Sequence, residues 1–155
     1  MGHITLREQD WTVTTDTVMG GGSTLLVVSE YSGLRLQGKL SHENNGGFVS
    51  ARIKDGMLSC PTDALGIRIL WEGDARSYRF IIHEKGRRVR EYFECALSQR
   101  SQVLVWTDFT HRYRNMSDKE RQFNPHHLSS VGVLLSNTHV GTVDFHLQKL
   151  EWVLS

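Results

Sequence analysis

A chain of 155 residues, 39% hydrophobic and 23% charged, has the length of one domain and the composition of a soluble globular protein. At that length about 68–70% of the unfolded surface can be buried, so neither a metal nor a disulfide staple is required. Eighteen basic against seventeen acidic residues leave a net charge of +1, which excludes a generic polyanion binder and sets nucleic acid aside as a partner.

No run approaches the ~18 apolar residues of a membrane helix. The opening ten residues carry Arg7, Glu8 and Asp10 and lack the apolar centre of a signal peptide or the character of an organellar leader. The expectation is one domain over residues 1–155, without a membrane span, in the cytoplasm.

Taken in chain order, the dominant period is two. An apolar stretch at 25–28 is the first strand candidate after the glycines at 20–22. Leu34, Leu36, Gly38 and Leu40 then alternate with Arg35, Gln37, Lys39 and Ser41. Residues 47–53 form another apolar stretch. Leu65, Ile67, Ile69 and Trp71 follow, with Leu70 as the exception on the polar parity. Tyr78, Phe80 and Ile82 alternate with Arg79, Ile81 and His83. Further candidates lie at 91–97, 103–106 and 131–135, and Val143, Phe145 and Leu147 alternate with Asp144, His146 and Gln148. Each pattern predicts a half-buried strand with one face on a core.

Turn signals separate the strands, among them Lys54-Asp55-Gly56, Gly73-Asp74 and Lys85-Gly86. About ten short strands so spaced predict an all-β fold, an antiparallel β-sandwich or jelly roll. The one helical pattern is Asp118 to Phe123, where Ser117 and Glu120 make a capping-box pair. A second turn is expected at Asn124-Pro125, with Asn as N-cap and Pro in first position. Leu150 and Trp152 fall on the opposite parity from Val143, Phe145 and Leu147. Either a bulge near Lys149 shifts the register or both faces of the last strand are covered.

The motifs of catalysis fail one by one. His42-Glu43 and His83-Glu84 open like the zinc-protease helix motif, but Gly46 and Arg87 stand where the second histidine belongs. The glycines at 20–22 make neither a phosphate loop nor a dinucleotide fingerprint, and Ser23 lacks the nucleophile elbow because Leu25 holds its last position. Eight histidines include no compact zinc spacing, so no metal and no cofactor is expected. Glu43, Asp74 and Asp108 are left open as carboxylates that distant strands could bring together. Cys60 and Cys95 form no framework and are expected to be reduced.

Two glycine-rich clusters remain. The first holds Trp11, Asp16, Met19, Gly20, Gly21 and Ser23; the second holds Glu43, Asn44, Asn45, Gly46, Gly47 and Phe48. Paired glycines permit positive φ or close backbone approach, and Asp, Asn and Ser close local turns through their side chains. These residue types fit two loops packed on each other to seal one end of a sandwich. They also fit a binding surface, since loops on a rigid scaffold often carry function. Residues 76–121 hold eleven basic against six acidic residues, and within them Arg112, Arg114 and Arg121 are candidate contacts for carboxylates on a partner.

The run Trp11…Asp16-Thr17-Val18-Met19-Gly20-Gly21…Ser23, followed by Gly38-Lys39-Leu40-Ser41 and Glu43-Asn44-Asn45-Gly46-Gly47-Phe48-Val49-Ser50, resembles the complex I intermediate-associated protein 30 family. Gly73-Asp74 with Arg76 and Tyr78, Trp106 ahead of Phe109, and Val131-Gly132-Val133 before the Phe145-His146-Leu147 strand extend the resemblance over nearly the whole chain. The polar, Arg-rich stretch 110–122 departs from the family pattern. The resemblance implies a galactose-binding-like β-sandwich. It also implies a non-catalytic, chaperone-like assembly factor that binds protein, with subunits of respiratory NADH:ubiquinone oxidoreductase as partners. The alternative is a carbohydrate-binding module, which the same fold relationship brings in.

Overall fold

The computed structural model describes residues 2–43, 47–113, 116–136 and 139–155. Asn44, Asn45, Gly46 and Arg114 of the candidate site therefore lie outside the described residues. The described chain forms twelve strands: β1 (Trp11–Thr15), β2 (Thr24–Ser29), β3 (Leu34–Leu40), β4 (Phe48–Ile53), β5 (Ala64–Gly73), β6 (Arg79–Glu84), β7 (Glu91–Ala96), β8 (Ser101–Val105), β9 (Thr110–Tyr113), β10 (Met116–Asp118), β11 (Leu128–Ser136) and β12 (Gly141–Leu154). They assemble into a seven-stranded sheet, ordered β1-β4-β11-β6-β7-β9-β10, and a five-stranded sheet, ordered β2-β3-β12-β5-β8. Every strand pairing is antiparallel.

The inner faces meet in one apolar core. Phe80, Ile82, Phe93, Val131 and Val133 from the larger sheet join Leu36, Ile67, Ile69, Phe145 and Leu147 from the smaller. Phe145 anchors it, stacked on Trp71 at 4.9 Å and tilted against Tyr78 at 4.7 Å. Such aromatic pairs add ~0.5–1.5 kcal/mol each beyond the area they bury. The antiparallel β-sandwich expected from the period-two pattern is therefore the fold.

The parity conflict in β12 has a single cause. Leu147 pairs with Trp71 and Lys149 with Leu70, so the register slips by one between them. That bulge lets Val143, Phe145 and Leu147 and then Leu150 and Trp152 all face inward.

The helix expected over Asp118–Phe123 does not form. Met116–Asp118 is a strand, and Asp118 Oδ1 accepts the Glu120 N–H at 3.0 Å in a local turn instead of a capping box. Two longer-range contacts outweigh the local preference. Arg121 reaches Glu84 at 2.9 Å, and Phe123 is buried against Phe93 and Trp106, each with 5.3 Å between ring centroids. The expected turn at Asn124-Pro125 does form, as a 3-10 turn over Pro125–His127 with Asn124 Oδ1 accepting from the His126 N–H. Among the described residues all helical structure is of this short 3-10 kind.

Candidate functional site

Asp16 organises the end of the sandwich where the two glycine clusters meet. It begins a 3-10 turn, Asp16–Met19, that Gly20 ends in the left-handed region at φ 85°. The Asp16 side chain is fully buried, with 0% exposure. Its Oδ1 accepts the Ser23 N–H at 2.9 Å. Its Oδ2 accepts the Ser23 hydroxyl at 2.5 Å, the Gly47 N–H at 2.5 Å and the Phe48 N–H at 3.3 Å. The Ser23 hydroxyl in turn accepts the Ser41 N–H at 2.8 Å. One carboxylate and one hydroxyl thus tie the β1–β2 turn to the end of β3 and the start of β4, across both sheets.

Burial alone would raise the Asp16 pKa. The hydrogen bonds from Ser23, Gly47 and Phe48 outweigh it and hold the carboxyl below its ordinary value. The glycines are there to admit this packing. A Cβ on Gly21 would lie 2.5 Å from the Asp16 carboxyl carbon, whereas one on Gly22 would meet the flexible end of the exposed Glu43 side chain. Gly47 has a φ of +132°, open in practice to glycine.

The structure sorts the other candidates by direction. Trp11 is buried in the core at 5% exposure. Phe48 is half-buried, and Glu43 is exposed. Met19, 52% exposed, and its neighbour Val18, 66% exposed, form the apolar tip of the clasped turn. The basic candidates sit elsewhere. Phe48 pairs with Ser136, whereas Arg112 pairs with Tyr92 in the part of the sheet where His83 pairs with Ser130. From Ser130 to Ser136 is about 20 Å along β11 at ~3.3 Å per residue. Loop clusters and arginines therefore do not make one surface. Arg121 is also held within the chain by Glu84 at 2.9 Å and Glu91 at 3.3 Å, and Arg112 lies 3.7 Å from Glu94. Asp74 and Asp108 serve local geometry: Asp74 accepts from the Tyr78 hydroxyl and the Asp144 N–H, and Asp108 from the Val105 N–H. Among the described residues no group of three or more His, Cys, Asp or Glu could hold a metal ion.

A polar layer that motif reading missed covers the outer face of the seven-stranded sheet. Ile81 and Leu134 are buried there, apart from the core cluster. Arg52, Arg79, His83, Tyr92, Glu94 and Arg112 are their neighbours in register. The available signal was Ile81 itself, an apolar residue on the polar parity of β6. At one margin of this layer a cleft of about 270 Å³ opens between the turns at 54–57 and 85–87, with Arg52, His83 and Ser129 among its lining residues.

Residues 5–148 match the complex I intermediate-associated protein 30 family. The chain belongs to that family. No curated protein matches the sequence. Among solved structures, the fold is similar to a family 11 carbohydrate-binding module from Clostridium thermocellum in complex with a β-1,3-1,4-mixed-linked tetrasaccharide. The TM-score there is 0.67 at 16% identity, over 100% of this chain and 98% of that one. The family 11 module of the cellulosomal cellulase Lic26A-Cel5E from the same organism gives a TM-score of 0.68 at 17% identity, over 100% and 97%. At such identities the likeness is one of fold. Among the described residues no helix is long and apolar enough to cross a membrane.

Proposed function

We propose that this protein is a non-catalytic, chaperone-like assembly factor that binds other proteins, with subunits of respiratory NADH:ubiquinone oxidoreductase the first clients to test. Membership of the complex I intermediate-associated protein 30 family over residues 5–148 carries this reading. The contact surface is the clasped turn. Val18 and Met19 stand exposed on a turn that the buried Asp16 fixes to both sheets, so two apolar anchors are offered at little ordering cost. Arg112 and Arg121 already face carboxylates of their own chain and are not part of that surface.

The test is affinity capture from native lysate with wild type and Met19→Asp, scored for respiratory subunits by name. Recovery by wild type and at least a tenfold loss in the variant is the expected result. Equal recovery by both, or no respiratory subunit at all, counts against the reading. A second reading, a carbohydrate-binding module, is favoured by the full-length fold likeness to the family 11 modules. A glycan array with the same protein tests it.

A further inference from the structure

The outer polar layer is unusual in what it leaves unpaired. Seven buried side-chain nitrogen or oxygen atoms have no hydrogen-bond partner among the described residues. Five of them lie on this one face: Arg52 Nε, Arg79 Nε, His83 Nδ1, Glu94 Oε1 and Arg112 Nε. Native proteins pair nearly all such atoms, and each exception calls for a cause. Arg79 Nε and Glu94 Oε1 stand 3.5 Å apart as an ion pair without hydrogen-bond geometry, and Arg112 Nε is 3.7 Å from Glu94 Oε2. Donors and acceptors without a hydrogen bond therefore stand side by side in the layer, some of them held only as ion pairs.

The cleft shows what could satisfy both kinds. His83 is 5% exposed, and its Nε2 lies 2.9 Å from the Val89 carbonyl. A carbonyl only accepts, so Nε2 carries the proton and Nδ1 of the neutral ring is a bare acceptor. Burial first, then the charge of Arg52, lowers the His83 pKa against the opposing effects of Val89 and Asp55, so the ring is neutral at pH 7. Arg52 spends Nη1 on Asp55 at 3.1 Å and leaves its Nε–H unpaired. Two residues that line the cleft thus hold one acceptor and one donor without a hydrogen bond, both covered from solvent. A carboxylate or phosphate would suit Arg52 but would face the lone pair of His83. A hydroxyl donates to one and accepts from the other.

The volume fits a small group. About 270 Å³ lies just under the ~300–1,000 Å³ of drug-sized pockets, room for about one ring. The β11 register slips between Leu128 and Ser130, so Ser129 is an extra residue at the cleft wall. Bulges of this kind are over-represented beside binding sites. In the next strand Tyr92 lies 5.9 Å from the His83 ring, followed by Arg112 in register with it.

We infer that the cleft between the 54–57 and 85–87 turns takes one ring of a neutral sugar, its hydroxyls bridging Arg52 Nε–H and His83 Nδ1. Further rings run over Tyr92 toward Arg79, Glu94 and Arg112. Both atoms are covered, so the sugar reaches them only when a side chain lining the cleft moves; Asp55, which anchors Arg52, is on an exposed turn with 66% of its side chain open. This inference rests on the carbohydrate reading and is independent of the protein-binding one.

The experiment is an NMR titration of the isotopically labelled full chain with D-glucose and with the β-1,3-1,4-mixed-linked tetrasaccharide, and with citrate and inorganic phosphate in parallel. Sugar-dependent shifts at the Gly56, Gly86 and Ser129 amides and at the His83 ring are expected. At least tenfold weaker binding by Arg52→Met, with an unchanged melting temperature, is expected with them. Wild-type shifts alone decide the matter if that variant fails to fold. Sugar shifts confined to other surfaces overturn the cleft while leaving the carbohydrate reading standing. Shifts with citrate or phosphate in place of sugar overturn the hydroxyl assignment. No sugar shift overturns the inference, and a negative glycan array alongside it overturns the carbohydrate reading too.

Discussion

Replacing Asp16 by Asn changes one atom and no volume, so it isolates the chemistry of the clasp from its packing. The carboxylate accepts from four donors, three of them backbone N–H groups at Ser23, Gly47 and Phe48. The fourth is the Ser23 hydroxyl. With the amide oxygen kept at the Oδ2 position, the Asn NH2 points its hydrogens at the Ser23 N–H. One buried donor is then unpaired at ~1–3 kcal/mol, and three charge-assisted bonds become neutral at ~0.5–1 kcal/mol each. The expected loss is about 2.5–6 kcal/mol, a large part of the ~5–15 kcal/mol of a typical domain.

Urea unfolding of the two proteins measures it. The pH dependence gives an independent check. A folded-state pKa held below the unfolded value contributes stability that is present above about pH 4 and lost as pH falls through the folded value. The gap between wild type and Asp16→Asn should therefore narrow below pH 4. A gap of less than about 1 kcal/mol at pH 7, or one that does not change in acid, would refute the clasp.

Gly47→Val should destabilise by more than about 1 kcal/mol, because φ is +132° and the new Cβ would stand 3.0 Å from His42 Cδ2; an unchanged urea midpoint contradicts this. Cys60 and Cys95 are both free, so reductant should leave the melting temperature where it is, and a drop of several degrees would reveal a bridge. Burial pushes both thiols up, so a thiolate-directed reagent should label the native protein far more slowly than the urea-unfolded chain, and equal rates would contradict that placement. Burial, and then the hydrogen bond to Asp74, pushes the Tyr78 phenol well above its ordinary range, so its absorbance should not titrate before the protein unfolds in alkali. A native-state phenolate step lost in Tyr78→Phe would show otherwise.

The parts of the fold legible in the sequence are those where local pattern and long-range pairing agree. β3, β6 and β12 show their alternation because one face of each is on the core, and the β12 bulge shows as a break in that alternation. β9 and β10 lack the signal, since Thr110–Tyr113 and Met116–Asp118 lie toward the sheet edge with few buried residues. The false helix over Asp118–Phe123 arose from a capping pattern that Glu84 and Phe93, distant in sequence, overrule. The outer polar layer was illegible for a different reason. Arg52, His83, Tyr92 and Arg112 belong to four strands, and only the order β4-β11-β6-β7-β9 sets them side by side.

Several of the residues that carry the family likeness spend their chemistry inward. Asp16 and Ser23 are fully buried, Gly21 makes room for the Asp16 carboxylate, and Gly47 donates its N–H to it. A motif of that kind specifies how two sheets are joined at one end, whatever the protein binds. It also resembles a binding loop in composition, because buried turns and ligand loops draw on the same glycine, Asp and Ser geometry. Specificity must then come from side chains that the clasp does not turn inward. Here those are the exposed Val18 and Met19 on the clasped turn, and the arginine, histidine and tyrosine layer toward the other end of the larger sheet. The clasp holds Val18 and Met19 in place, and the polar layer stands on a sheet that the clasp helps to close. Mutations that open the clasp should therefore weaken binding at either proposed surface through stability, whereas Met19→Asp and Arg52→Met should each affect one proposed surface and spare the other.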